Sequence, residues 1–76
     1  MEVLIGRIYK HYKGDYYIVL NIAIDSENGG KLVVYRALYG EGSVYARPYD
    51  SFVEKIHLAN QEHRFELQEI NSVVRR

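Results

Sequence analysis

The sequence contains no cysteine and no tryptophan, and only one methionine and one proline among its 76 residues. Without cysteine there is no disulfide framework, no thiolate nucleophile and no thiolate metal site. That fits a reducing compartment, and the chain reads as cytoplasmic. Net charge is lacking as well. Ten basic and ten acidic side chains cancel, so no bulk basic field drives non-specific binding, and nucleic acid is not an expected partner. No apolar run approaches a membrane span, and Val3-Leu4-Ile5 is too short for the apolar region of a signal peptide. The expectation is a soluble chain with no membrane partner. There is also no glycine-rich phosphate loop, nucleophile elbow or carboxylate pair, so no catalytic residue and no cofactor is assigned. His57 and His63 lie six residues apart around a turn with no third ligand nearby, so no metal site is assigned either.

What is present is tyrosine. Eight tyrosines and two phenylalanines stand in a chain that is otherwise ordinary for a globular protein, 47% hydrophobic and 26% charged. A chain of this length forms one domain, read here as residues 1–70, and buries only about 60% of its unfolded surface. Residues 71–76 read as a flexible tail. The signals along the domain are strands and turns. Ile8 to Lys13 is rich in β-formers and ends at Gly14-Asp15. Tyr16 to Ile24 is apolar on both faces except at Asn21, as in a strand that curls through the middle of a barrel. Asn28-Gly29 supplies the positive-φ pair of a hairpin turn. Lys31 to Tyr39 is a third strand, Gly40 to Ser43 a tight connection, and Val44 to Arg47 a fourth strand that Pro48 stops. A short turn at Tyr49-Asp50-Ser51 then tucks Phe52 into the core. Val53 to Leu58 is a fifth strand, Asn60 to His63 a polar turn, and Arg64 to Ile70 a last strand or short helix. The fold class is all-β, a small antiparallel barrel of about five strands.

Several of these segments, in order, resemble a known family. They are Tyr9-Lys10-His11-Tyr12-Lys13-Gly14, Tyr17-x-Val19, Val33-Val34-Tyr35-Arg36-Ala37-Leu38-Tyr39-Gly40, Arg47-Pro48-x-x-x-Phe52 and Arg64-Phe65. Together they resemble a family of small bacterial proteins of unknown function. Departures are Arg7, where the family usually has glycine, and Tyr45, where it usually has tryptophan. The resemblance implies an SH3-like barrel and no established activity. Some relatives sit beside nucleotide-hydrolase domains, and free-standing ones are of the kind carried on mobile gene cassettes.

The candidate binding residues are His11, Tyr12, Lys13, Tyr35, Arg36, Tyr39, Tyr45 and Arg47. His11 titrates near neutrality and could act as a base or a donor, but a base needs an orienting acid, and only Glu41 and Asp50 offer one. Its structural role would be to order the first hairpin. Arg36 and Arg47 flank the Gly40–Gly42 turn. Close together they would read a carboxylate or phosphate bidentately; apart, each would stack on a tyrosine and pair with Glu41, Asp50 or Glu54. Tyr12, Tyr35, Tyr39 and Tyr45 form either a stacking platform or a core with an outward contact surface. Neutral net charge favours the contact surface. The functional expectation is therefore a non-catalytic interaction module, a homo-oligomer (a dimer first) self-associating through its tyrosine-rich face. The alternative is a nucleotide- or phosphate-binding accessory domain using His11, Lys13, Arg36 and Arg47.

Overall fold

Alternation along each strand decides what is buried. In the computed structural model, which describes residues 1–69, the strands are β1 Ile8–His11, β2 Tyr16–Ile24, β3 Lys31–Ala37 and β4 Val44–Pro48. One helical turn, α1 Tyr49–Phe52, follows, and then β5 Lys55–Leu58, β6 Gln61–His63 and β7 Phe65–Leu67. Five strands make one antiparallel sheet in the order β4-β3-β2-β1-β7, and β5-β6 form a separate hairpin. On the inner face Tyr9, Tyr17, Val19, Val33, Tyr35, Ala37 and Phe65 are buried, with Val3 and Phe52 packed onto them. The fold is all-β, as expected. The expected tail at residues 71–76 lies outside the described residues.

The two-sided apolarity of β2 has a local cause. Val19 pairs with Tyr35 but Asn21 pairs with Val34, so Leu20 is an extra residue in the ladder. A bulge of this kind shifts the alternation by one and bends the strand. Inward positions are Tyr17 and Val19 before it and Ile22, opposite buried Val33, after it. The bend helps to curl the sheet until its two ends, β4 and β7, approach each other. Among the described residues no ladder joins them, so the curl is left open. Side chains fill the gap. Pro48 stops β4, and α1 carries Phe52 beneath the sheet, where it stacks on Phe65 of β7 at 4.1 Å with the ring planes 2° apart. Both rings are essentially inaccessible.

Residues before β1 strap across the same core. The Gly6 N–H donates to Val19 O and the Val19 N–H to Arg7 O. The Leu4 N–H donates to Tyr9 Oη at 2.8 Å and the Val3 N–H to Tyr49 Oη at 3.1 Å. Two tyrosine hydroxyls thus find partners at the rim while their rings face inward.

The turns differ from the sequence expectation in one instructive way. Between β2 and β3 only Gly29 is left-handed, at φ 76°. The connection is a wider loop in which the Gly29 N–H donates to Asp25 O, and Asn28 acts through its side chain by accepting from the Gly30 N–H. The two-residue mirror-image turn sits instead at Ala59-Asn60, with φ 53° and 65°, joining β5 to β6. Asn60 tolerates this region, whereas alanine is strained there. The polar stretch expected as a turn is therefore strand from Gln61 onward. Gln61 is buried because its Nε2 donates to Lys10 O and His63 O, tying the small hairpin to β1.

Two stability measurements test this account. Phe52→Ala removes half of the stack and leaves a cavity, and should cost about 3–5 kcal/mol in denaturant titration. That is most of the margin of so small a domain, so a near-native midpoint would contradict the packing. Ala59→Gly should raise stability by about 0.5–1 kcal/mol by relieving the left-handed alanine. A fall in midpoint would show a different turn there.

Candidate binding face

Inward-facing odd-numbered positions of β1, β2, β3, β4 and β7 converge at one end of the sheet. His11 pairs with Phe65, Tyr17 with Ala37, and Tyr35 with Tyr45. Their rings meet edge to face: Tyr17 lies 5.3 Å from Tyr35, 5.5 Å from Phe65 and 5.7 Å from Tyr39. Tyr35 lies 5.7 Å from Tyr45. Tyr17 and Tyr39 hydroxyls hydrogen-bond each other at 3.0 Å. Burial, and then the Tyr39 hydroxyl, push the Tyr17 phenol well above its ordinary range. Tyr39 and Tyr45 form the solvent side of the cluster, each a little under half exposed.

Arg47 projects into this face from β4. Its Nε donates to Tyr35 Oη at 3.2 Å and one terminal nitrogen donates to Ser51 Oγ at 3.0 Å. The guanidinium lies 5.6 Å from the centre of the Phe65 ring. No described carboxylate pairs with it. Arg36 is elsewhere. It neighbours Tyr35 in β3, so it points to the opposite face, where its stem lies over Gly42. The two arginines therefore do not form a pair. Arg64, which was not a candidate from the sequence, lies 5.8 Å over Tyr12 and pairs with Glu54 at 2.7 Å. Tyr12 in turn packs on His11 at 4.5 Å. Lys13 also reaches the Tyr12 ring, at 6.0 Å.

The structure thus brings together His11, Tyr12, Lys13, Tyr35, Tyr39, Tyr45 and Arg47, and adds Tyr17, Ser51, Arg64 and Phe65. Tyr17 was signalled by its alternation with Val19. The position of Arg64 had no local signal, because the β5-β6 hairpin delivers it. Glu41 and Asp50, the two candidate orienting acids, make no hydrogen bond to His11; its Nδ1 accepts from the Lys13 N–H at 3.1 Å instead. This leaves Nε2 as the protonated nitrogen of the neutral ring. His63 faces Glu66 at 3.6 Å. An open depression of about 380 Å³ between Gly30, Lys31, Pro48, Tyr49 and Asp50 shares no residue with the aromatic cluster. Among the described residues no helix is long and apolar enough to cross a membrane.

His11 gives the face a pH dependence. Burial, and then Arg47, Arg64 and Lys13, lower its pKa from the ordinary 6.5, with Asp15 opposing. The unfolded chain therefore binds this proton first as pH falls. The His11 contribution to stability is therefore greatest above pH 6.5, is lost as pH falls from there toward the folded value, and stays lost below it. Urea midpoints measured from about pH 8 to 5 should show this slope, and His11→Asn should flatten it. An equally steep profile in the variant would remove His11 as its cause.

Residues 7–67 match a family described as a protein of unknown function, DUF1653. The crystal structure of a DUF1653 protein from Bordetella bronchiseptica is similar in fold, with a TM-score of 0.71 and 29% identity. The match covers 83% of this chain and 85% of that one. No curated protein matches the chain. With most of its length matched by one family, and a similar fold in a member's crystal structure, the chain belongs to the DUF1653 family, whose function is unknown.

Proposed function

We propose that this chain is a non-catalytic interaction module that associates with a second copy of itself through the β3-β4 end of the sheet. The observation that carries this reading is the cluster of exposed apolar side chains there. Leu38 and Tyr39 leave β3, Val44 and Tyr45 enter β4, and each is between 44% and 48% exposed. Tyr16 adjoins them, since its carbonyl accepts from the Leu38 N–H. Single exposed apolar residues are normal, but their concentration on both faces of one edge strand, Val44 on the outer face and Tyr45 on the inner, suits a contact that wraps that edge.

The backbone supports the same partner. The Ala37 N–H donates to Ser43 O, so odd-numbered β4 positions spend their hydrogen bonds on β3. Val44 and Ala46 then present theirs outward. Among the described residues this edge has no ladder partner. Two copies related by a two-fold axis would pair these edges antiparallel and cover both patches at once.

Light scattering at micromolar concentration should give the mass of a dimer. Val44→Lys places a charge in the contact and should shift the mass to that of a monomer while leaving the melting temperature at the monomer's value. A monomeric mass for the unaltered chain would overturn the proposal.

A further inference from the structure

Around the open seam of the sheet, among the described residues, basic side chains outnumber acidic ones. Arg47 comes from the β4 side, and His11, Lys13 and Arg64 come from the β1-β7 side. The groups form a continuous run of contacts: Arg47 lies against Phe65, Phe65 against His11 at 4.8 Å, His11 on Tyr12, and Tyr12 beneath Arg64. The acids within reach are Asp15, which acts on His11, and Glu54, which is engaged by Arg64.

The donors are only partly used. A guanidinium has five N–H groups, and Arg47 spends two of them, on Tyr35 and Ser51. Both acceptors are neutral, so they orient the group without cancelling its charge. His11 turns Nδ1 back to its own loop and keeps Nε2–H as a donor. Arg64 Nε is buried and, among the described residues, has no hydrogen-bond partner. A buried donor left unpaired is costly, and proteins retain few of them. A pre-oriented guanidinium, a neutral imidazole N–H and an orphaned arginine N–H share one chemical complement, which is an oxygen anion.

We infer that Arg47, His11 and Arg64 frame a binding site for a single oxyanion, a carboxylate or phosphate borne by a small ligand, at the seam between the two ends of the sheet. The ligand's anionic group displaces water between the guanidinium of Arg47 and the β1-β7 rim. Its remainder extends past Tyr12, the half-exposed ring beside the donors. The site differs from the sequence expectation of His11, Lys13, Arg36 and Arg47 by leaving out Arg36 and Lys13 and including Arg64. It differs from self-association in the groups it uses, because it takes side chains of the inner face, whereas the edge pairing takes the backbone of Val44 and Ala46.

The test is a titration of isotope-labelled protein with inorganic phosphate, benzoate and adenosine 5′-monophosphate. Ionic strength is held constant with chloride, and the Nε–H resonances of Arg47 and Arg64 and the ring resonances of His11 are followed. Saturable shifts at these three residues with at least one probe, and an upward shift of the His11 titration when the probe is bound, are expected. Saturation by phosphate and the nucleotide alone assigns a phosphate ligand; saturation by benzoate assigns a carboxylate. Arg47→Lys, which keeps the charge but loses the fork, should weaken binding about tenfold. Ser51→Ala, which frees the guanidinium without removing it, should weaken binding by a few-fold and guards against a folding defect in the first variant. Arg36→Gln should leave affinity unchanged. Absence of saturation into the millimolar range for all three probes overturns the site. So does an Arg36→Gln loss equal to that of Arg47→Lys, since attraction would then follow net charge alone.

Discussion

The face-to-face stack of Phe52 on Phe65 is the contact on which this structure depends. The two rings belong to opposite ends of an open sheet, one just after β4 and the other on β7, and no backbone ladder connects those ends among the described residues. An aromatic pair adds about 0.5–1.5 kcal/mol beyond the area it buries. In a domain whose whole margin is about 5–15 kcal/mol that is a substantial share. Its geometric consequence is larger than its energy. With Phe65 held flat against Phe52, its edges receive His11, Tyr17 and Tyr35, so one stack sets the orientation of the entire aromatic face.

Tyrosine suits this arrangement because the domain is too thin to hide a polar group far from its rim. Tyr9, Tyr17 and Tyr35 are buried, yet each hydroxyl reaches a partner: Leu4 N–H, Tyr39 Oη and the Arg47 guanidinium. The same property leaves Tyr16, Tyr39 and Tyr45 as amphipathic surface. Core and exposed aromatic rim are thus parts of one tyrosine network, in which Tyr17 touches both the buried Phe65 and the exposed Tyr39 and Tyr45.

Arg47 shows how packing turns a common surface residue into a specific donor. Exposed arginines find carboxylates by chance at little energetic gain. Here the guanidinium is fixed by two neutral oxygens and backed by an aromatic ring. Its charge is therefore still available, and its field helps to keep the neighbouring His11 neutral.

Much of the architecture was legible in the residues themselves. Alternating apolar positions in Lys31–Ala37, the proline stop at Pro48 and the four-residue step from Pro48 to Phe52 are local signals, and each has a local cause in strand pleat or proline geometry. The members of the candidate face are named from residue type and from the resemblance, but whether His11, Tyr35, Tyr45 and Arg47 face the same side stays open in the sequence and is decided by strand register. Four features were not legible. The bulge at Leu20, the mirror-image turn at Ala59-Asn60, the separation of Arg36 from Arg47 and the arrival of Arg64 beside Tyr12 all depend on which strand pairs with which, and in what register. Strand pairing joins residues distant in the chain, and a shift of one position exchanges the two faces of a strand. The amino-acid sequence by itself determined that this chain forms short strands and where glycine and proline punctuate most of them. Only the tertiary structure decided which side chains meet, because that is a property of contacts made across the sheet.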